Sequence, residues 1–175
     1  MNKFNIKPDI KTFNSMIDGY FKLKQVQKAE NIFEEMIKKN IKPDFVTFNT
    51  RIDGYFTNGI VEKAEKTFSK MMKYYYFQPD TATFNSMIKG YFKLKQIKKS
   101  EEIFEEMIKN NVKPNIITFN TLIDGYFMNG NIQKAEEMFE EMLKNDIKPD
   151  IITLNILING YFKNRNIEKA ENTFS

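Results

Sequence analysis

Five asparagines recur along the chain at a nearly constant interval, and their side chains suit recognition chemistry. A primary amide offers both hydrogen-bond donors and an acceptor, enough to meet a planar polar partner such as the edge of an unstacked base. The residues are Asn14, Asn49, Asn85, Asn120 and Asn155, spaced by 35, 36, 35 and 35 positions. Each lies in a near-copy of the segment TFNSMIDGYF. The pattern predicts one equivalent polar contact in every copy.

A structural role is the alternative for these asparagines. In that alternative, the amide satisfies backbone groups in the first turn of a helix, beside Thr12 or its equivalents acting as the N-cap. Ser or Asp would cap a helix equally well. Capping therefore does not explain why the same residue type recurs five times, and we favour the recognition role.

The composition excludes most catalytic chemistry. The 175 residues include no Cys and no His, which removes thiolate metal sites, Cys nucleophiles and the commonest general base. The net charge of +4 permits an anionic partner without requiring one. No apolar run approaches the roughly 18 residues of a membrane span, and the N-terminus resembles neither a signal peptide nor a transit peptide. We expect a protein without enzymatic activity, cofactor or membrane partner.

Glycines and prolines repeat at the same interval as the asparagines. Gly19, Gly54, Gly90, Gly125 and Gly160 form one series, and Pro8, Pro43, Pro79, Pro114 and Pro149 form the other. We predict the tail of a partial repeat at 1–9, full repeats at 10–44, 45–80, 81–115 and 116–150, and a truncated fifth repeat at 151–175. The second repeat has one extra residue, between Lys73 and Asp80. Neither end resembles a polar capping repeat, so we expect further repeats or protein partners to cover the ends.

Each repeat is predicted to contain two amphipathic helices. In the first repeat, apolar residues follow the spacing i, i+3, i+4, i+7, i+8 from Phe13, and again from Ala29. Asn40, Asn111 and Asp146 end second helices, because these residue types tolerate the left-handed conformation of a helix C-terminus. A lone helical hairpin cannot bury both of its apolar stripes. Neighbouring hairpins are therefore expected to stack into an α-solenoid.

The recurrent glycine is predicted to serve packing within the hairpin. A Gly inside a helix costs about 1 kcal/mol relative to Ala, so its recurrence needs a reason. A small residue stands ten positions later in every repeat: Ala29, Ala64, Ser100, Ala135 and Ala170. Two facing columns of small residues would let the paired helices approach closely.

The repeats resemble the pentatricopeptide repeat family. The resemblance rests on the 35-residue period and on segments such as VTFNTRIDGYF and KAENIFEEMIKKNIKPD, and it covers nearly all of residues 10–175. The similar 34-residue tetratricopeptide pattern requires a Trp that this chain lacks. The resemblance implies an all-α, right-handed α-solenoid superhelix of helix-turn-helix repeats. It also implies binding of single-stranded RNA, one base per repeat, by a groove that the first helices line.

In that family the fifth and last residues of a repeat select the base. The corresponding pairs here are Asn14 with Asp44, Asn49 with Asp80, Asn85 with Asn115, and Asn120 with Asp150, whereas Asn155 has no partner in the sequence. The resemblance implies that an Asn–Asp pair reads uracil and that an Asn–Asn pair reads cytosine or uracil. The expected site is U-U-C/U-U-pyrimidine, written 5′ to 3′, within a pyrimidine-rich RNA.

The resemblance also implies roles at two other positions. The second residue of a repeat is an aliphatic side chain that sandwiches the base; Val46, Ile117 and Ile152 fit, whereas Lys11 and Ala82 depart from the pattern. The thirteenth residue is a basic contact to phosphate; Lys22, Lys93 and Lys163 fit, whereas Thr57 and Met128 depart. An ordinary solvated face remains the alternative for these lysines.

Two other functions remain open on the sequence alone. The array can be a protein-binding scaffold or a structural subunit of a ribonucleoprotein, or it can be the repeat part of an enzyme whose catalytic domain lies elsewhere. The absence of His and Cys disfavours catalysis by these residues. The resemblance further implies work on organelle transcripts, in a mitochondrion or plastid.

Overall fold

The computed structural model describes residues 6–174, which form an all-α array of helical hairpins. These residues contain ten helices and no strand, as the repeat pattern predicts. The bounds are Ile10–Lys22 (α1), Val26–Lys38 (α2), Phe45–Thr57 (α3), Val61–Tyr75 (α4), Thr81–Lys93 (α5), Ile97–Lys109 (α6), Ile116–Met128 (α7), Ile132–Lys144 (α8), Ile151–Lys163 (α9) and Ile167–Phe174 (α10). Residues 1–5 of the predicted partial repeat and Ser175 of the predicted fifth repeat lie outside the described ones.

The helices divide into two compact units. One unit ends at Pro79 and contains α1 to α4, and the other begins at Asp80 and contains α5 to α10. In each unit, consecutive helices pair as hairpins, and the first helices of neighbouring repeats pack together: α1 on α3, and α5, α7 and α9 in succession. None of the ten helices is both long and apolar enough to cross a membrane.

A capping Asp or Asn starts every first helix. At α3, Asp44 Oδ1 accepts a hydrogen bond from the Thr47 backbone N–H at 2.8 Å, and the Asp44 N–H donates to Thr47 Oγ1 at 3.2 Å. This reciprocal pair is a capping box. The N-caps of the five first helices are Asp9, Asp44, Asp80, Asn115 and Asp150. The alternative that made Thr12 or its equivalents the N-cap is wrong, because Thr occupies the third helical position.

The second helices end as their residue types predict. Asn40, Asn111 and Asp146 have φ values of 58°, 57° and 58°, in the left-handed region. The extra residue of the second repeat lengthens α4 to 15 residues, and Tyr76 adopts the left-handed conformation there. The Phe77 N–H donates to the Met71 carbonyl, one residue further back than the Ile41 N–H reaches, to Met36. The insertion is therefore absorbed in the last turn of α4.

The recurrent glycine contacts the preceding repeat, which corrects the prediction that it faces the small residue of its own hairpin. A Cβ atom on Gly54 would lie 2.3 Å from the Phe21 ring of α1, and nothing lies within 4 Å of such an atom on Gly19. Gly125 and Gly160 meet Phe92 and Phe127 in the same way. The absent Cβ thus lets an aromatic ring from one first helix seat against the backbone of the next.

A polar contact also joins successive repeats. Tyr161 donates its hydroxyl hydrogen to Glu136 at 2.9 Å, and the Lys169 ammonium lies 2.5 Å from the same carboxylate. Tyr55 and Lys63 bind Glu30 in the same manner, as Tyr126 and Lys134 bind Glu101. Each glutamate lies on a second helix, and its partners belong to the following repeat.

Candidate nucleic-acid interface

A concave groove of about 450 Å³ lies along α5, α7 and α9 of the second unit. Its lining includes Asn120, Asp150, Ile117, Ile152 and Lys93. These five residues were predicted as base-reading, base-sandwiching and phosphate-contacting positions of different repeats. The packing of successive first helices brings them to one surface. The groove thus combines a buried amide, a carboxylate, two exposed aliphatic side chains and a cation.

The Asn120 amide is held by the first turn of α9. Its side chain is largely buried, and the Thr153 hydroxyl donates to Asn120 Oδ1 at 2.8 Å. The Thr153 backbone N–H donates to Asp150 Oδ1 at 2.9 Å. That bond, followed by those from the Thr153 hydroxyl and the Asn120 amide, keeps the pKa of Asp150 below its ordinary value, although burial opposes them. At neutral pH, an ionised carboxylate therefore lies beside the amide.

The first unit repeats this arrangement at Asn14. The Thr47 hydroxyl donates to Asn14 Oδ1 at 2.7 Å, and Asn14 Nδ2 donates to Asp44 Oδ1 at 3.3 Å. Partial burial raises the pKa of Asp44, but the hydrogen bonds from Thr47 and Asn14 outweigh it and leave this pKa lowered. The amide therefore meets a hydroxyl at its oxygen and a carboxylate at its nitrogen.

The Asn85 site differs. Here the partner residue is Asn115, and the Thr118 hydroxyl lies 3.2 Å from Asn115 Oδ1 as its hydrogen-bond donor. Asn85 Oδ1 is buried and has no hydrogen-bond partner among residues 6–174. This site thus has Asn in place of Asp, and it lacks the bond between the threonine hydroxyl and the asparagine amide.

The remaining predicted base-reading residues differ in their exposure. Asn49 is half-buried on α3 of the first unit, whereas Asp80 is exposed at the start of α5 in the second. Asn155 is exposed on α9. The described part of the chain contains no cluster of three or more Asp, Glu, His or Cys side chains that could hold a metal ion.

Comparison with known protein families decides the relationship. The sequence profile of the PPR repeat family matches residues 8–55, 79–126 and 114–163, and two further PPR repeat profiles match residues 39–72 and 152–175. The chain belongs to the PPR repeat family. A comparison with curated proteins finds no match.

Solved PPR structures share the fold. The structure of PPR10 in complex with an 18-nt psaJ RNA element is 26% identical, with a TM-score of 0.88 over 97% of this chain and 25% of PPR10. A crystal structure of PPR10 from maize superposes with a TM-score of 0.72, at 26% identity, over 98% of this chain and 24% of that one. This chain therefore spans about a quarter of the length of PPR10.

A more distant PPR structure shows the fold alone. The PPR domain of Arabidopsis thaliana protein-only RNase P 1, solved with tRNA, is 16% identical with a TM-score of 0.64. That match covers 94% of this chain and 86% of the other.

The aliphatic positions that the PPR pattern assigns to base sandwiching are unusually exposed. Val46, Ile117 and Ile152 have 57%, 60% and 57% of their surface exposed, and each lies in the first turn of its helix. Apolar side chains left in water at a groove are available for stacking against a planar partner. The departures at Lys11 and Ala82 are exposed as well.

The three lysines predicted to contact phosphate have different surroundings. Lys22 forms an ion pair with Asp18 at 2.6 Å, and Asp18 raises its pKa through that hydrogen bond. Lys93 lines the groove, and Lys163 is exposed at the end of α9. The exposed Met128, which departs from the PPR pattern at this position, also lines the groove.

Sequence reasoning missed two features of this PPR surface. Lys89 lines the groove at the position where other repeats have Asp18, Asp53 and Asp124. Aligning the repeats with one another would have shown this reversal of charge. The bond between the threonine hydroxyl and the asparagine amide was also missed, because it joins residues 33 positions apart in sequence.

Proposed function

We propose that this chain binds single-stranded RNA in a sequence-selective manner, one base per repeat, with the preference U-U-C/U-U-pyrimidine. The observation that carries the proposal is the groove in which Asn120, Asp150, Ile117, Ile152 and Lys93 converge. Such a groove provides what single-stranded recognition requires: hydrogen-bonding groups for a base edge, an apolar surface for its face, and a cation for its phosphate. Membership of the PPR repeat family and the likeness to PPR10, whose structure contains RNA, support it.

The charge state of the site favours uracil at Asn–Asp repeats. Hydrogen bonds hold the pKa of Asp44 and of Asp150 below the ordinary value, so both side chains accept hydrogen bonds only. Uracil has an N–H at N3, whereas cytosine has a bare acceptor there, which a carboxylate repels. At Asn85 the neutral Asn115 removes that repulsion, and either pyrimidine fits.

The proposal includes an organellar role, in a mitochondrion or plastid, which rests on the family resemblance alone. We further infer that this segment acts by binding and not by catalysis. Stacking and hydrogen bonding contribute on the order of 1–3 kcal/mol per base, and a five-base contact reduced by the cost of ordering the RNA corresponds to an affinity of about micromolar.

The test is a fluorescence anisotropy titration near 0.1 M salt. The probe is UUCUU in an A-rich single-stranded RNA, compared with all-A RNA and with DNA of the same sequence. We expect binding to the U-rich RNA alone, and its loss when Asn49 and Asn120 are both changed to Ala. The control variant is Asn31→Ala, on the exposed surface of α2, which should bind normally. Equal binding, or none, to all three probes would instead favour a protein-binding scaffold.

A further inference from the structure

The amide of an asparagine can be presented to a base in two orientations, and the two orientations suit different pyrimidines. Uracil offers an acceptor at O4 beside a donor at N3, whereas cytosine offers a donor at N4 beside an acceptor at N3. An amide whose nitrogen and oxygen match uracil matches cytosine once it is rotated by 180°. Discrimination between the two bases therefore requires something that fixes the orientation of the amide.

Two groups of the following helix meet opposite ends of the Asn14 amide. Asp44 is ionised and only accepts hydrogen bonds, so the end of the amide 3.3 Å from Asp44 Oδ1 is the nitrogen. The Thr47 hydroxyl, which can donate, lies 2.7 Å from the other end of the amide and 2.8 Å from Asp44 Oδ1. Both Thr47 and Asn14 are buried, so water does not replace this bond. The hydroxyl and the carboxylate together allow one orientation only.

The same device is present at Asn120 and absent at Asn85. The Thr153 hydroxyl lies 2.8 Å from Asn120 Oδ1 as its donor. At the third repeat, the described hydrogen bonds of the Thr118 hydroxyl go to Asn115, and Asn85 Oδ1 is buried without a partner in the described chain. Thr118 has the same residue type, the same burial and the same capping-box bonds as its two counterparts. Thr118 is therefore a matched control, within the same chain, for the effect of the bond to the asparagine amide.

The geometry points to Thr47 and Thr153 as positioning residues for base selection: each fixes the amide of the preceding repeat's asparagine in the orientation that reads uracil. This inference rests on the proposed function, because it assigns base discrimination to the same groove. It explains why asparagines at equivalent positions of different repeats can differ in their preference for uracil over cytosine. The orientation is imposed at Asn14 and Asn120, whereas the Asn85 amide can rotate to suit cytosine or uracil.

The experiment compares the variants Thr153→Val and Thr47→Val with Thr118→Val. Each variant is titrated against UUCUU RNA and against RNAs in which a single U is changed to C. We expect each of the first two variants to lose uracil-over-cytosine preference at one nucleotide by about tenfold, the size of one bidentate base contact. Thr118→Val should leave every preference unchanged, and Thr153→Ser, which keeps the hydroxyl, should restore the wild-type preference.

The outcomes separate the inference from the function on which it rests. If the wild-type chain itself binds all RNAs equally, the proposed function fails. If the wild-type chain is selective but Thr153→Val and Thr47→Val keep its preferences, or weaken every RNA alike, the threonines act only as capping residues and the inference is wrong. An equal loss of preference in Thr118→Val also overturns it.

A measurement on the protein without RNA provides a second readout. In a ¹⁵N-correlated NMR spectrum, the side-chain amide signal of Asn120 should move in Thr153→Val and return towards its original position in Thr153→Ser. The Asn85 signal should stay in place in Thr118→Val. If the Asn120 signal keeps its position when the Thr153 hydroxyl is removed, the inference is wrong.

Discussion

The ring of Phe92 occupies the space that a side chain on Gly125 would need: its Cδ2 atom would lie 2.3 Å from a Cβ built on that glycine. Real Cβ atoms do not approach other atoms so closely. The contact joins the first helices of two successive repeats, and the pairs Phe21–Gly54 and Phe127–Gly160 reproduce it.

Gly125→Ala is therefore expected to lower the free energy of unfolding by about 1–3 kcal/mol, the usual cost of overpacking a core. Gly19→Ala is the matched control, since nothing lies within 4 Å of a Cβ there. It should raise the free energy of unfolding by up to about 1 kcal/mol, because Ala is the better helix former. Urea titrations monitored by far-UV circular dichroism would measure both changes. Equal effects of the two substitutions would show that the ring contact does not govern the response.

Asn115→Asp should convert the third repeat into one that selects uracil. The new carboxylate would repel the N3 acceptor of cytosine, and Asp caps a helix about as well as Asn, so the start of α7 is preserved. Asp150→Asn should have the opposite effect at the fourth repeat. Anisotropy titrations with U-to-C changes at single nucleotides would measure both preferences. The assignment of these two positions is wrong if the exchange leaves the preferences where they were.

Lys93→Ala should reduce the salt dependence of RNA binding more than Lys22→Ala does. Each phosphate contact to a single strand contributes about 0.7 to the slope of log K against log salt. Lys93 lines the groove, whereas Lys22 is already paired with Asp18 at 2.6 Å. Binding constants measured at several salt concentrations would give the slopes. A larger change for Lys22→Ala would contradict this distinction.

The stability of the array should fall as the pH rises above about 10. Burial, and then the hydrogen bond to Glu101, raise the pKa of Tyr126 above its ordinary value of 10.0. Burial and the hydrogen bond to Glu136 raise the pKa of Tyr161 in the same way. Between the unfolded and folded pKa values, the folded state holds protons that the unfolded state has released, so rising pH favours unfolding.

Thermal melts between pH 8 and pH 11 would show this decline. The double variant Tyr126→Phe with Tyr161→Phe should make it shallower, because it removes both titrating groups. Tyr20→Phe is the control, since it leaves both Tyr–Glu bonds in place. A decline as steep in the double variant as in the wild-type chain would show that other groups cause it.

Contacts within a helix were accessible from sequence, and contacts between repeats were not. The period and the apolar spacing predicted both helices of each repeat, and Asn40 could be recognised as a helix end by its residue type. The prediction that Gly54 packs against its own hairpin was wrong, because the residue it contacts, Phe21, belongs to another repeat. Sequence spacing within a hairpin does not show which faces of successive hairpins meet.

The candidate site shows the same division. Asn120 and Ile117 were selected by the family pattern, and the structure places them in one groove. Which bonds hold the amide could not be read from the sequence, because Thr47, Thr118 and Thr153 have the same residue type and the same position in their repeats. All three hydroxyls lie within hydrogen-bond distance of their capping residue, and those of Thr47 and Thr153 also lie within that distance of the preceding repeat's asparagine.

The Phe–Gly contact also bears on how such a gene can change. At three junctions the Phe ring of one first helix packs against the glycine backbone of the next in the same way. The contact surfaces of these repeats are therefore equivalent. Tandem duplication or deletion of a whole repeat would create a junction already present elsewhere in the chain. An array joined in this way can gain or lose whole repeats in single genetic steps, without compensating substitutions at the new boundary.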